Sequence, residues 1–451
     1  MNGFNYKINN LSEYRPKAWE KVYKWHLGQV DNTDPSKKSA IYVVHGMGRQ
    51  AWAETSAVLR AGIEDALESI PKADKSKEIL PAPFIQDGYW ANYDDLEKSF
   101  PDEWKRFEES KYSFFTMLWK SRSISGIKTF WWFIRQLPRL VIDPRVIVKE
   151  SPLAWLIYFM LLFIVPPLFI IFFLFFPSVL SRIFNDVRLY CSPRGIIEKA
   201  IVQRIDYRVG ESLLKLIGLD WNFRNLKIYE QFKVDGKPIT FDRVFFVAHS
   251  LGTVISYNVM SDLFERADYF AVNGDAEQQE GVNKFWNSLQ RFITMGSPLD
   301  KIAVLFGKKV LRPWPERMFK SDKKTINEKD KTLRTFWPNW WVNYFHFLDP
   351  VSGALSQEDI CPQNQKPNNF HLNKFFYMPG LAHIKYWNDK TVLTYLLSRF
   401  FGKERIEFPR KESMSATLLT WFAIAGYFIW LCIILVPVAL VLWSFGVFKF
   451  L

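Results

Sequence analysis

Short apolar runs rich in β-branched and aromatic residues recur along this chain, and several stop abruptly at small residues before apolar positions resume at helical spacing. The clearest case, residues 243–257, breaks at Ala248-His249-Ser250-Leu251-Gly252 and predicts strand, sharp turn and helix. Residues 39–44 predict a second buried strand, which runs into His45-Gly46-Met47-Gly48. Leu59, Ile63, Ala66 and Ile70 then fall on one face of a helix. Further strands are expected at 88–93, at 291–295 before Gly296-Ser297-Pro298-Leu299-Asp300, and from 342 up to Asp349, where Pro350 stops the ladder. Residues 195–219 and 389–401 read as helices, and so does an acidic aromatic stretch up to about residue 112. Residues 227–234 alternate and lead into a turn at Asp235-Gly236, while 274–281 reads as a polar loop.

A different pattern interrupts this alternation. Residues 153–176 carry no charge and are long enough to cross a bilayer. They follow a basic amphipathic segment at 128–142 that suits a membrane interface. If the strands ending at His45 and His249 share one sheet, both flanks of 153–176 lie on the same side of the membrane. The segment is then either a re-entrant hairpin broken at Pro166-Pro167 or a crossing paired with 128–142. Arg135, Arg139, Arg145 and Lys149 precede it, and Arg182, Arg188, Arg194 and Lys199 follow it, which places both flanks in the cytoplasm. Residues 416–448 are almost wholly apolar and form a C-terminal membrane segment, either one tilted span or a hairpin about Pro437.

The composition agrees with such a chain. Its 451 residues are 49% hydrophobic and 17% aromatic, and a formal charge of +13 points to an anionic partner. The loop 306–341 concentrates that charge, with ten Lys and Arg against four acidic residues and Trp314, Trp337, Trp340 and Trp341 interleaved. Such a loop suits single-stranded nucleic acid or a membrane surface. Beside two membrane segments, anionic headgroups are the expected partner and nucleic acid is not. Cys191, Cys361 and Cys432 lie far apart without metal-ligand spacing, so neither a disulfide framework nor a metal site is expected, and no cofactor is implied. The first residues lack a basic and apolar leader pattern, which makes a reducing cytoplasmic location the expectation.

With His45-Gly46-Met47-Gly48 after an early strand and Ala248-His249-Ser250-Leu251-Gly252 after a later one, the chain resembles the α/β-hydrolase superfamily, in its lipase and esterase branch. The resemblance spans roughly residues 39–70 and 240–400. It implies a mostly parallel sheet flanked by helices, ester hydrolysis, and a nucleophile, acid and base in that chain order. Ser250 is the candidate nucleophile, and Met47 and Leu251 are the candidate oxyanion N–H donors. His45, Gly46, Gly48, His249 and Gly252 support the two turns. The acid is Asp349 or, alternatively, Asp300, since each follows a strand. Of the six histidines, His383 sits directly before a late helix and is the candidate base, with His371 as the alternative.

The domain reading is an N-terminal extension (1–38), a catalytic domain (39–123 and 195–402), a membrane-associated insertion (124–194), the loop 306–341 as a possible lid, and a C-terminal membrane segment (415–448). The expected function is an integral-membrane serine hydrolase facing the cytoplasm and cleaving carboxylic esters of lipids, as a lipase or phospholipase does. An esterase or thioesterase tethered near a soluble substrate is the alternative, as is a non-catalytic hydrolase-like membrane scaffold or effector.

Overall fold

A computed structural model describes residues 38–46, 53–69, 83–88, 90, 101, 105, 186–193, 195–234, 236–306, 310–312, 314, 340–346, 349, 351–355, 367–372 and 383–401. Their elements, in chain order, are β1 (Ser39–Val44), α1 (Glu54–Ser69), β2 (Phe84–Asp87), α2 (Gly195–Ile217), β3 (Arg243–His249) and α3 (Leu251–Asn273). There follow α4 (Ala276–Ser288), β4 (Leu289–Met295), α5 (Leu299–Phe306), β5 (Trp341–Phe345), β6 (Asn368–His371), a 3-10 turn (Lys385–Asn388) and α6 (Lys390–Phe401).

The six strands form one sheet in the order β2-β1-β3-β4-β5-β6, and every neighbouring pair is parallel. A parallel sheet is covered on both faces, so its strands are apolar on both sides. Successive side chains point to opposite faces. Ala40, Tyr42, Val44, Phe246 and Ala248 thus pack under α2, α3 and α4, while Ile41, Val43, Phe245, Val247 and Met295 pack under α1 and α6. The protein is therefore α/β in class, with a helical layer on each side of the sheet.

Register decides where the strand ends meet. Val44 pairs with Ala248, His249 with Met295, Met295 with Tyr344, and Phe345 with His371. The loops leaving β1, β3, β4 and β5 consequently emerge side by side at one edge. Strand order runs outward from β1 to β2 in one direction and from β3 to β6 in the other. The crevice beyond the carboxyl ends of β1 and β3 is the switch point at which open α/β sheets bind ligands.

Four sequence expectations are corrected. The described residues of the strand expected at 88–93, Gly88 and Trp90, are not in a strand: β2 ends before them and Trp90 packs in the core, while 89 and 91–93 lie outside the described residues. The stretch 227–234 yields only a short antiparallel hairpin, in which Lys233–Val234 pair with Lys237–Pro238. The polar stretch 274–281 opens a helix: Asp275 accepts from the Gln278 N–H while the Gln278 side chain accepts from the Asp275 N–H. This capping box makes polarity there a helix start rather than a loop. The strand expected to reach Asp349 ends at Phe345, so Asp349 belongs to the loop beyond. The helices expected at 195–219 and 389–401 are α2 and α6, and Asp389 caps α6 by accepting from the Thr391 and Val392 N–H groups.

The basic aromatic loop is rooted in the core at both ends. Trp314 stacks on Tyr257 with 5.0 Å between ring centres and donates its indole N–H to the Tyr257 carbonyl at 3.2 Å. Trp340 is buried, and Trp341 donates to Thr294 Oγ1 at 3.0 Å. Arg312 pairs with Asp206 at 2.8 Å and also with Asp262. The three indoles are buried in the fold and are not available to headgroups or bases, and Arg312 is tied to two carboxylates while its side chain stays partly exposed. Tyr190, near the end of the 124–194 insertion, donates to the same Asp206 at 2.7 Å, and Asn258 reaches both Tyr190 and Val310. The insertion therefore returns to the domain where the basic loop leaves it.

Among the described residues no helix is long and apolar enough to cross a membrane. The segments 128–142, 153–176 and 416–448 lie outside the described residues, as do the helix expected up to residue 112 apart from 101 and 105 and the N-terminal extension apart from Lys38.

Candidate active site

Ser250 stands between β3 and α3 with φ 54° and ψ −131°, one of the few non-glycine residues at positive φ among those described. An L side chain is strained there, and such strain persists only where the surroundings over-determine it. The surroundings here are specific. The Ser250 N–H donates to the Met295 carbonyl at 3.1 Å, which ties the turn to the end of β4. Its carbonyl accepts from both the N–H and the hydroxyl of Thr253, at 2.9 and 2.7 Å. Thr253 Oγ1 in turn accepts from Ser297 at 2.9 Å.

Two glycines let the backbone close in. A Cβ on Gly252 would stand 2.2 Å from the His45 carbonyl oxygen and 2.6 Å from that of Val44, so only glycine lets α3 begin against the end of β1. A Cβ on Gly46 would stand 2.7 Å from Ser250 Cβ, which places the loop after β1 directly over the serine. We expect Gly252→Ala to lower stability by about 1–3 kcal/mol, the usual cost of overpacking against backbone. Urea denaturation measures it, and a midpoint equal to the parent's would disprove the close approach.

His383 precedes the 3-10 turn, and its Nε2 lies 2.8 Å from Ser250 Oγ. Its Nδ1 lies 2.9 Å from Asp349 Oδ2 and 3.1 Å from Oδ1. A carboxylate only accepts, so Nδ1 carries the proton and Nε2 presents a lone pair to the serine hydroxyl. Asp349 is buried, and its Oδ1 also accepts from the N–H groups of Val351 and Ser352, at 2.8 and 3.3 Å. Burial alone would raise the Asp349 pKa. The His383 charge and hydrogen bond, the Lys301 charge and the Val351 N–H outweigh it and hold the carboxyl well below the usual range.

The two motif histidines have separate tasks. His249 donates from Nε2 to the His383 carbonyl at 2.7 Å, linking the residue before the serine to the loop that carries His383. Burial first, and His383 second, push its pKa down to about 3, so it stays neutral at ordinary pH. His45 donates from Nδ1 to the Gly46 carbonyl at 2.9 Å, and burial lowers its pKa to about 4. Trp90 stacks on His45 with 4.8 Å between ring centres and donates to its carbonyl at 3.3 Å, fixing the start of the loop over the serine.

The structure thus brings Ser250, His383, Asp349, His249, His45, Gly46, Leu251 and Gly252 together. Leu251 is the first residue of α3, where a backbone N–H has no intrahelical acceptor. Met47 and Gly48 lie outside the described residues. The two alternatives stand elsewhere: Asp300 is in the first turn of α5 while the imidazole proton goes to Asp349, and His371 ends β6 opposite Phe345.

Gly296, which opens the turn expected after the 291–295 strand, has φ 59° and passes so close that a Cβ there would stand 3.2 Å from the His383 ring. Other neighbours were not read from the sequence. Trp90, Ser352 and Tyr386 carried no motif, although Tyr386 follows His383 at one-turn spacing. Among the described residues no cluster of His, Cys, Asp or Glu is arranged to hold a metal ion.

Set against known proteins, the chain matches no protein-family model, no curated protein and no solved structure.

Proposed function

We propose that this chain is a membrane-embedded serine hydrolase of the α/β-hydrolase type that cleaves carboxylic esters of lipids. One observation carries the chemistry: a single hydrogen-bonded line runs from Asp349 through His383 to Ser250 Oγ, at a strained turn on the switch point of a parallel sheet. The chain order of serine, acid and base supports the superfamily reading.

In this reading Ser250 Oγ attacks the acyl carbonyl carbon as His383 Nε2 takes its proton. Asp349 remains ionised, keeps the imidazole in the required tautomer and stabilises the imidazolium. The oxyanion that forms needs N–H donors aimed at it in advance. Because the Ser250 N–H is spent on Met295, the Leu251 N–H is the donor at the elbow, with Met47 as the expected second donor. The amino end of α3 adds a potential that favours negative charge at the same point. Collapse expels the alcohol, which takes the proton from His383. Water, deprotonated by His383, then releases the acid from Ser250.

The lipid and membrane parts rest on the uncharged segments 153–176 and 416–448. The pairing of β1 with β3 supports a turned-back insertion, since β2 before it and α2 after it belong to one folded body. The basic flanks put that body in the cytoplasm.

The test uses detergent-solubilised full chain, a fluorophosphonate, and a substrate panel of phospholipids, acylglycerols, short soluble esters and thioesters. We expect stoichiometric labelling and release of fatty acid from the lipid esters. Turnover confined to the soluble esters or thioesters would replace the lipid reading with that of a tethered esterase. A chain that neither labels nor hydrolyses would be a scaffold.

A further inference from the structure

Asp349 meets one side chain besides His383 that nothing in the two sequence motifs calls for. Tyr386 donates its phenol proton to Asp349 Oδ2 at 2.9 Å, on the same oxygen that receives the His383 Nδ1–H. Its ring is buried against the Gly296 turn, where a Cβ on that glycine would stand 3.0 Å from the Tyr386 Cε2. The phenol has one proton and gives it to the carboxylate, so the Ser352 hydroxyl, 3.0 Å away, is the donor in their contact. A directed chain results, from Ser352 to Tyr386 to Asp349, with His383 donating to the same carboxylate from the other side. Burial, and then the Asp349 charge, keep the phenol protonated.

The position of Tyr386 gives this chain its purpose. His383 and Tyr386 are three residues apart where the backbone turns into a 3-10 helix, and at that spacing side chains eclipse. Both therefore reach one carboxylate from a single turn. The far oxygen, Oδ1, is held by the backbone N–H groups of residues 351 and 352, so Asp349 is gripped from its own loop and from the loop of the base. His249 anchors that same turn through the His383 carbonyl.

Resting on the hydrolase reading above, we infer that Tyr386 is a positioning residue: its phenol fixes the Asp349 carboxylate and, sharing a turn with His383, sets acid and base as one unit. It touches no reacting atom and acts through Asp349. Catalytic geometry is lost over tenths of an ångström, and a carboxylate relieved of one of its side-chain donors can rotate away from the imidazole.

Tyr386→Phe keeps the ring and removes only the donor. For hydrolysis of a soluble p-nitrophenyl ester by the full chain in detergent, kcat should fall about tenfold to a hundredfold, with KM changing by less than about twofold. The pH profile gives a second readout that a packing role would leave alone. Among the described residues, the groups facing the pair are His249 from β3 with His45 beyond it, Lys301 from α5, the Ser250 hydroxyl, Tyr386 itself and, at the end of β5, His346, whose backbone bonds to the Tyr386 phenol. A carboxylate without its phenol donor concentrates more negative charge on the imidazolium, so the acid limb of kcat/KM should move to higher pH.

Fluorophosphonate labelling of the parent separates the two levels of inference. A parent that does not label ends the hydrolase reading and this assignment with it. A parent that labels beside a Tyr386→Phe variant with unchanged kcat and acid limb overturns the assignment alone. Should Tyr386→Phe fold poorly by thermal melting, Ser352→Ala takes its place. It removes the outer donor, and a smaller fall in kcat with the same direction of limb movement is expected; no change would count against Tyr386.

Discussion

Ser250→Ala should abolish labelling by a fluorophosphonate and lower ester turnover by about 10⁴- to 10⁶-fold, while the fold persists. The hydroxyl is the only group of Ser250 that faces His383, and the backbone bonds to Met295 and Thr253 do not depend on it. The companion variant Ser250→Gly separates function from stability. At φ 54° a side chain carries strain of about 1–3 kcal/mol, which glycine does not have, although glycine gains about 0.5–1 kcal/mol of unfolded-chain entropy. Ser250→Gly should therefore match or exceed the parent in urea midpoint while being inactive. A protein that becomes more stable as it loses turnover would show that the fold holds this residue under strain for chemistry. Labelling that survives either substitution would overturn the nucleophile assignment.

What was legible in the chain was what depends on backbone peculiarity. Ser250 and Gly46 could be read because a turn tight enough to expose a serine, and a loop passing directly over it, each demand small residues at fixed offsets. Elements whose fate depends on partners elsewhere were read less well. The aromatic run after Trp341 continues past the sheet edge, so the apolar pattern placed the strand end at Asp349 rather than Phe345. Trp314 and Trp340 sit among lysines and read as surface, yet they fill the space between α3 and the sheet beside Phe264 and Phe292. At 274–281 composition suggested a loop, and the Asp275 and Gln278 capping pattern in the same residues was the better guide.

The residues that went unread share a cause. Tyr386, Ser352 and Thr253 are ordinary polar residues whose partners are defined only by the fold. No motif marks them because no single backbone geometry requires them. His383 differed only in that a hydrolase demands a late histidine before a helix, and the expectation supplied by the resemblance did the selecting.

Asp349→Asn is expected to be nearly as damaging as loss of the serine, and the geometry says how. The substitution preserves shape but exchanges one oxygen for an amide nitrogen, and two backbone donors decide which way the amide turns. Val351 and Ser352 point their N–H groups at Oδ1, so the asparagine oxygen must face them. Its NH2 group is then left at the Oδ2 position, the nearer of the two to His383 Nδ1 at 2.9 Å against 3.1 Å for Oδ1, and faces the ring nitrogen. That nitrogen can only donate, so Nδ1 must become the acceptor and the ring proton moves to Nε2. Nε2–H would then point at Ser250 Oγ, 2.8 Å away, and could not take its proton. A turnover loss of about 10⁴-fold follows from the wrong tautomer alone. The Tyr386 hydroxyl, no longer facing an acceptor at Oδ2, would turn to accept from the new NH2, so stability should fall by no more than about 1–2 kcal/mol. The decisive measurement is the fluorophosphonate labelling rate of Asp349→Asn beside its thermal midpoint. A variant that remains folded and labels within about tenfold of the parent would show that the carboxylate does not set the tautomer, and the acid would have to be sought in another residue.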